Sequence, residues 1–315
     1  MNRWTGFLVA LEGGGSHSQA VLLDSDGHLL QASRSTSVNT NFVSFELAQQ
    51  AVVSAVKNVL QNAGIDGCEV RHFVTSLVGP PFGVETFGEF CPQAIFHSYR
   101  EMQVVFAQAG IYGRPHGVGV VAATGATAWG TRADDNRQVF LGGWGSLLGD
   151  EGSAYAIGLL GLRAAAKAYE NRAPAPTRLV EAISQHFEIA VDDFHREVVH
   201  MAYQKPLSRT EIAGVAPVVT RLASQGDQMA VRITAKVAND LADLGLHAAR
   251  RIFLQSETFD VVVAGGLVRA GDLILASFRQ RLLEEFPKAV FKTGSEDPAV
   301  ALGRLALHDI QEETC

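Results

Sequence analysis

The sequence predicts an α/β protein of two duplicated lobes facing one another, on three observations. An apolar strand run at residues 7–11 leads through a glycine-rich turn into a second run at 20–23, not into a helix. The same order of strand, small-residue hairpin and returning strand recurs over residues 117–131. Runs with apolar residues at helical spacing then fill most of residues 153–252.

Taken in order, Asp26-Gly27 is the turn that ends the second strand, and residues 28–33 form a third, giving an antiparallel meander. A helix is expected over 45–62, stopped by Gly64, followed by a strand over 70–78 closed by Gly79-Pro80-Pro81. Residues 94–96 form a short strand before a helix at about 99–109. The second half has strands at 117–123, 128–131 and 137–141. Helices follow at about 153–170, 177–186, 191–202, 209–223 and 227–252. A buried strand at 259–264 ends in Gly265-Gly266 before a helix at about 270–285, then a strand at 290–292 and a last helix behind Asp297-Pro298. No low-complexity linker interrupts the chain, so the lobes are expected to join tightly: 1–116, then 117–297 with a helical insertion, then a closing helix in 298–315 that packs back on the first lobe.

A chain of 315 residues suffices for two such lobes, and 47% hydrophobic with 19% charged residues suits a well-packed soluble globule. The net charge of −7 argues against nucleic-acid binding, which needs basic surface to displace phosphate counterions. There is no apolar run near the roughly 20 residues of a membrane span and no signal-peptide pattern at the start. Cys68, Cys91 and Cys315 are widely spaced and form no metal or redox motif, so a reducing cytoplasm is the expected location.

The most informative stretch is Gly142-Gly143-Trp144-Gly145-Ser146-Leu147-Leu148-Gly149-Asp150-Glu151-Gly152. Dense glycines let backbone amides approach a ligand, Trp144 offers a flat face for a sugar ring, and Asp150 and Glu151 can accept hydroxyl hydrogen bonds. The same residues would also serve a tight turn whose carboxylates cap the next helix. The hairpin Glu12-Gly13-Gly14-Gly15-Ser16-His17-Ser18 can wrap phosphate with backbone amides, although any hairpin tip favours glycine. It lacks the final Lys-Ser/Thr of a Walker loop, and no helix follows it as in a dinucleotide fingerprint. A second small-residue hairpin, Ala123-Thr124-Gly125-Ala126-Thr127, and the strand end at Gly265-Gly266 give three correlated elements that together suit a nucleotide.

In the order of these elements the chain resembles the acetate and sugar kinase, heat-shock chaperone and actin superfamily. Within it the chain is similar to N-acetylglucosamine kinases of the BadF/BadG/BcrA/BcrD ATPase family, from Glu12-Gly13-Gly14-Gly15 to Asp297-Pro298-Ala299-Val300-Ala301-Leu302-Gly303, most specifically over Gly142 to Gly152. The resemblance implies two ribonuclease H-like, actin-like ATPase lobes around an interlobe cleft, with ATP and Mg²⁺ as cofactors, a sugar as substrate and a homodimer as the assembly. It assigns Gly13, Gly14, Gly15 and Ser16 to the first phosphate loop, Thr124 and Gly125 to the second, and Gly265, Gly266 and Ala213 to the adenosine. Asn39, Thr124, Gly143, Trp144, Gly145 and Asp150 become sugar contacts. Glu12 is placed near the metal, which it would hold through waters.

The family places its catalytic aspartate at the start of the helix after the fourth strand. Matching Val104, Val105 and Phe106 sets Glu101 on that position, one methylene longer, where a base must meet near-attack geometry. Glu101 also reads as a first-turn helix carboxylate. His17 stands where the family has a fixed cation, and Ala123 and Ala126 stand where Gly and Ser are usual, each adding a methyl beside the phosphate. The implied activity is ATP-dependent phosphorylation of an amino sugar, N-acetylglucosamine or glucosamine, at its 6-hydroxyl. The departures leave a non-catalytic sugar or nucleotide sensor as a second reading. A third, an ATPase activating a reductase or dehydratase, would favour a close cysteine pair, which the chain lacks.

Overall fold

Residues 5–313 are described by the computed structural model, which divides into two units: residues up to Pro115 together with Gly294 onward, and His116–Thr293. Cys315 lies outside the described residues.

In the first unit β1 (Phe7–Gly13), β2 (His17–Asp24) and β3 (Leu29–Thr36) form the antiparallel meander, followed by α1 (Phe45–Ala63) and β4 (Val70–Leu77). A four-residue helix, α2 (Val84–Phe87), precedes β5 (Ile95–Ser98) and α3 (Glu101–Ala107), and the helix Pro298–Glu313 completes the unit. The sheet order is β3-β2-β1-β4-β5, with β4 parallel to β1 and β5 parallel to β4. Side chains alternate across a strand, and β1 shows this directly. Val9 and Leu11 pack with Leu22 and Phe73 against Val52, Val56 and Val59 of α1. Leu8 and Ala10 pack with Val21 and Val74 against Ala299, Leu302 and Ala306 of the C-terminal helix. Covered on both faces, β1 reads as an unbroken apolar run. Ser44 caps α1 by accepting from Leu47 N, and Gly64 ends it at φ 67°. α2 was not foreseen, since four residues show no period; its Phe87 stacks on Phe73 at 4.6 Å.

The second unit repeats the plan. β6 (Gly117–Ala122), β7 (Ala126–Thr131) and β8 (Gln138–Gly142) form a meander, followed by α4 (Ala154–Tyr169), α5 (Leu179–His186), α6 (Phe194–Tyr203), α7 (Arg209–Gly214), α8 (Ala216–Ser224) and α9 (Gln228–Arg250). β9 (Asp260–Ala264), α10 (Asp272–Glu285) and β10 (Val290–Gly294) close it, in the order β10-β9-β6-β7-β8. With β9 parallel to β6, this is the strand order of the first sheet. Val118 and Val120 of β6 and Val261 and Val263 of β9 share a core with Val237 and Leu241 of α9 and Phe278 of α10.

Three expected helices differ. The single helix expected at 209–223 breaks at Val215, because Pro217 near the start of α8 lacks an N–H and its ring crowds the carbonyl four residues back. Residues Val191–Asp193 form a 3₁₀ turn ahead of α6. Gly265-Gly266 opens onto a second 3₁₀ turn, Gly266–Ala270, so α10 begins only at Asp272. Among the described residues no helix is long and apolar enough to cross a membrane.

Candidate functional site

The first hairpin is held from behind and open in front. Gly14 N donates to His17 O at 2.9 Å, closing the loop, while Val78 N donates to Gly13 O at 2.8 Å. Gly13 is packed beneath Val38 and Leu77, whose methyls would lie 2.7 and 2.9 Å from an added Cβ. Around Gly14 nothing lies within 4 Å of such an atom, and Gly15 and Ser16 are half-buried. Desolvation first, then Arg34, lowers the pKa of His17, so it is neutral at pH 7.

Beside this loop the first unit gathers three carboxylates. Glu12 pairs in register with Gln19 on β2 and Ser76 on β4. It is half-buried, and desolvation, then the negative charges of Glu101 and Asp297, push its pKa up to about 8. Glu101 is the half-buried first residue of α3, a place common to a base and a helix-start carboxylate. In the sequence Asp297 is marked only as the residue before the last helix. In the structure it accepts from Ala299 N at 3.0 Å and from Gln19 Nε2 at 3.1 Å on each oxygen. Gln19 Oε1 in turn accepts from Arg34 Nε at 2.8 Å. An aspartate before a helical proline was the available signal, but it signals a cap and not its neighbours. Among the described residues no three His, Cys, Asp or Glu side chains are grouped to hold a metal directly. The mutual repulsion at Glu12 and its hard oxygen donors suit a hydrated Mg²⁺ nearby.

Asn39 follows the buried Ser37 and Val38 and is itself half-buried. Its Oδ1 accepts from Asn41 N at 2.9 Å and its carbonyl from Phe42 N at 2.9 Å, so the side chain is set by a local turn.

In the second unit the hairpin Ala123–Gly125 is fastened to the start of α4: Ala154 N donates to Ala123 O at 2.9 Å and Tyr155 N to Thr124 O at 3.3 Å. Gly125 lies against Asp150, whose Oδ1 would be 2.6 Å from an added Cβ, and against the Arg209 guanidinium. Asp150 is 4% exposed, with Oδ1 accepting from Ala126 N at 3.1 Å and Oδ2 from Arg209 Nη2 at 2.6 Å. The sequence showed its carboxylate but not the arginine that meets it. Ala126 is 2% exposed and belongs to the core. Ala123 is half-buried.

The stretch after β8 requires glycine at Gly143 and Gly145, with φ 73° and 77°, where side chains bearing a Cβ are strained. Gly149 N donates to Gly145 O at 2.9 Å, so the loop closes on itself and presents Trp144, 72% exposed, beside the exposed Leu147 and Leu148. Glu151 is exposed, while Gly152 packs on Leu241 of α9. Gly265 lies against the Ala122 carbonyl at the end of β6, Gly266 is exposed, and Ala213 is buried in α7.

Two sheets of one strand order, each opening on a glycine hairpin, define an actin-like ATPase fold. The chain belongs to the BadF/BadG/BcrA/BcrD ATPase family, whose model matches residues 11–301. It is 25% identical to an N-acetyl-D-glucosamine kinase of Dictyostelium discoideum, across 95% of this chain and 97% of that one. It is 28% identical to an N-acetylmuramic acid/N-acetylglucosamine kinase of Clostridium acetobutylicum, across 61% of each. In fold it matches a candidate N-acetylglucosamine kinase of Chromobacterium violaceum, with TM-score 0.67 and 23% identity over 96% of this chain and 99% of that one. A ROK family glucokinase of Streptomyces griseus, in complex with glucose and AMPPNP, matches with TM-score 0.61 and 15% identity over 95% and 99%.

Proposed function

We propose that the protein transfers the γ-phosphoryl group of ATP to an amino sugar, with N-acetylglucosamine ahead of glucosamine as acceptor and the 6-hydroxyl as the site. The observation that carries this reading is the glycine hairpin at the same place in two sheets of identical strand order. The amino-sugar acceptor follows the full-length likeness to the Dictyostelium kinase.

In this reading the amides of Gly13, Gly14, Gly15 and Ser16, and those of Thr124 and Gly125, receive the phosphates, and Gly265, Gly266 and Ala213 border the adenosine. Trp144, flanked by Gly143 and Gly145, stacks on the sugar, and Asn39 and Thr124 bond its hydroxyls. Glu101 accepts the hydroxyl proton as the oxygen attacks the γ-phosphorus in line. The bond to the β,γ-bridging oxygen breaks and ADP departs. Mg²⁺, when bound, supplies positive charge to the phosphates, with Glu12 holding its water shell. The setting attached to this reading is a cytoplasmic homodimer.

The test is phosphorylation of a hexosamine panel by purified protein with Mg-ATP, followed by product analysis. E101Q should lower kcat by about 10²- to 10⁴-fold, the usual contribution of a positioned base. Wild-type protein that phosphorylates no member of the panel overturns the proposal, and sugar binding without turnover in calorimetry would return the site to a sensor role.

A further inference from the structure

We propose that Arg34 is a nucleotide-binding residue: its guanidinium brings to the first glycine hairpin the positive charge for a polyphosphate that the hairpin's own residues lack. The inference rests on the ATP-binding part of the reading above.

The geometry begins in the sheet register. On the face of β1, β2 and β4 that packs on the C-terminal helix, Leu8, Ala10, Val21, Leu23 and Val74 are buried and apolar. At the end nearest the hairpin the same face turns polar in one row. Arg34 pairs with Gln19, Gln19 with Glu12 and Glu12 with Ser76, so the row crosses β3, β2, β1 and β4. Gln19, 5% exposed, joins its neighbours: its Oε1 accepts from Arg34 Nε at 2.8 Å while its Nε2 donates to Asp297. Arg34 Nη2 lies 3.9 Å from Asp297, and the Arg34 side chain is 70% exposed. Two residues before Gln19 on β2 is His17, whose carbonyl closes the hairpin on Gly14 N and whose imidazole feels the charge of Arg34.

The hairpin depends on a cation from outside itself. Residues 12–18 hold one basic side chain, His17, and burial together with Arg34 keeps it neutral at pH 7. Glu101 and Asp297 add negative charge close enough to act on Glu12, the residue that opens the hairpin. Backbone amides offer only partial charges, so a polyphosphate entering beside these carboxylates is repelled unless a full positive charge faces it. Arg34 meets that demand. Gln19 fixes one edge of the guanidinium, and its exposed Nη groups keep the planar fork that suits phosphate oxygens. The contact with Asp297 is long and largely exposed, so it competes only weakly. A neutral His17 follows from the same arrangement, since a second cation beside the guanidinium is disfavoured.

The experiment is calorimetry of AMP, ADP and AMPPNP, each with Mg²⁺, on wild type, R34K and R34Q, with melting curves for each. R34Q should weaken AMPPNP by about tenfold, as for loss of one hydrogen bond to a charged group. R34K, which keeps the charge but loses the fork to Gln19, should stay within roughly threefold of wild type. The loss in R34Q should grow along the series, with AMP within about twofold, because the adenosine is bordered by the second unit. Raising salt from roughly 0.05 to 0.5 M should weaken AMPPNP more in wild type than in R34Q, since screening acts on the charge that R34Q lacks. Both variants should melt like wild type, as exposed substitutions do. A role confined to holding Gln19 and Asp297 would instead make R34K as weak as R34Q and leave the salt response unchanged; that result overturns the proposal. So does an R34Q that binds AMPPNP like wild type, or one that loses AMP equally. Wild type that binds AMPPNP but phosphorylates no hexosamine sinks the kinase reading alone; wild type that binds no AMPPNP sinks both.

Discussion

Gln19 donates to both carboxylate oxygens of Asp297 at 3.1 Å, tying β2 to the cap of a helix 278 residues further along the chain. Asp297 thereby serves two ends: its Oδ1 accepts from Ala299 N and Val300 N at 3.0 and 3.3 Å, and its charge reaches Glu12.

Replacing Asp297 separates these roles. D297A should destabilise the protein by about 1 kcal/mol for the lost cap, read as a lower denaturant midpoint with unchanged slope. D297N, a competent cap without charge, should retain most of that stability and lower the pKa of Glu12 by removing one of the charges that raise it. Carboxyl titration by NMR would check this, and an unmoved Glu12 would refute the coupling.

Glu12 makes stability depend on pH in a stated direction. Its pKa is raised from 4.5 to about 8, so between those values the unfolded chain releases a proton that the folded protein keeps. The contribution is fully present below pH 4.5 and is lost as pH rises through about 8. Because Glu12 retains some exposure, the loss should be on the order of 1–3 kcal/mol, not the full desolvation cost. E12Q should flatten this part of the stability profile. Millimolar Mg²⁺ should shift the wild-type transition to lower pH if the ion sits near Glu12.

Two glycines in equivalent hairpins should differ in how alanine affects stability. At Gly14 a methyl meets nothing within 4 Å, so G14A should melt like wild type while losing nucleotide affinity, its methyl occupying the open side of the loop. At Gly125 the methyl would overlap Arg209 and lie 2.6 Å from Asp150 Oδ1, so G125A should lower stability as well as affinity. Melting curves beside AMPPNP titrations distinguish them; a destabilised G14A would contradict the open setting.

Trp144, at 72% exposure, contributes little to packing. W144A should leave the melting temperature within a few degrees, as surface substitutions do. The KM for N-acetylglucosamine should rise roughly tenfold for the lost stacking face, with that for ATP little changed. An unchanged sugar KM would remove Trp144 from the site.

Most elements were legible because their determinants are local. The apolar run at 7–11, the Asp26-Gly27 turn and the Gly64 stop each act within a few residues, and β1, the β2–β3 turn and the end of α1 follow them. At Pro217 a local rule acts as well, and the helix breaks there. The glycine hairpins and the Gly142–Gly152 stretch were equally visible, and at Gly142, Gly143 and Gly145 the positive φ demands glycine.

By itself, then, the sequence determined the two meanders, their hairpins and the helices behind them, because hydrophobic period and turn chemistry are carried by neighbours in the chain. Tertiary structure alone decided that Arg209 meets Asp150 across 59 residues, that Gln19 meets Asp297 across 278, and that the methyl of Ala126 turns into the core. Such pairings depend on which strand ends and helix starts the sheet order brings together, and no local spacing encodes the partner of a buried charge.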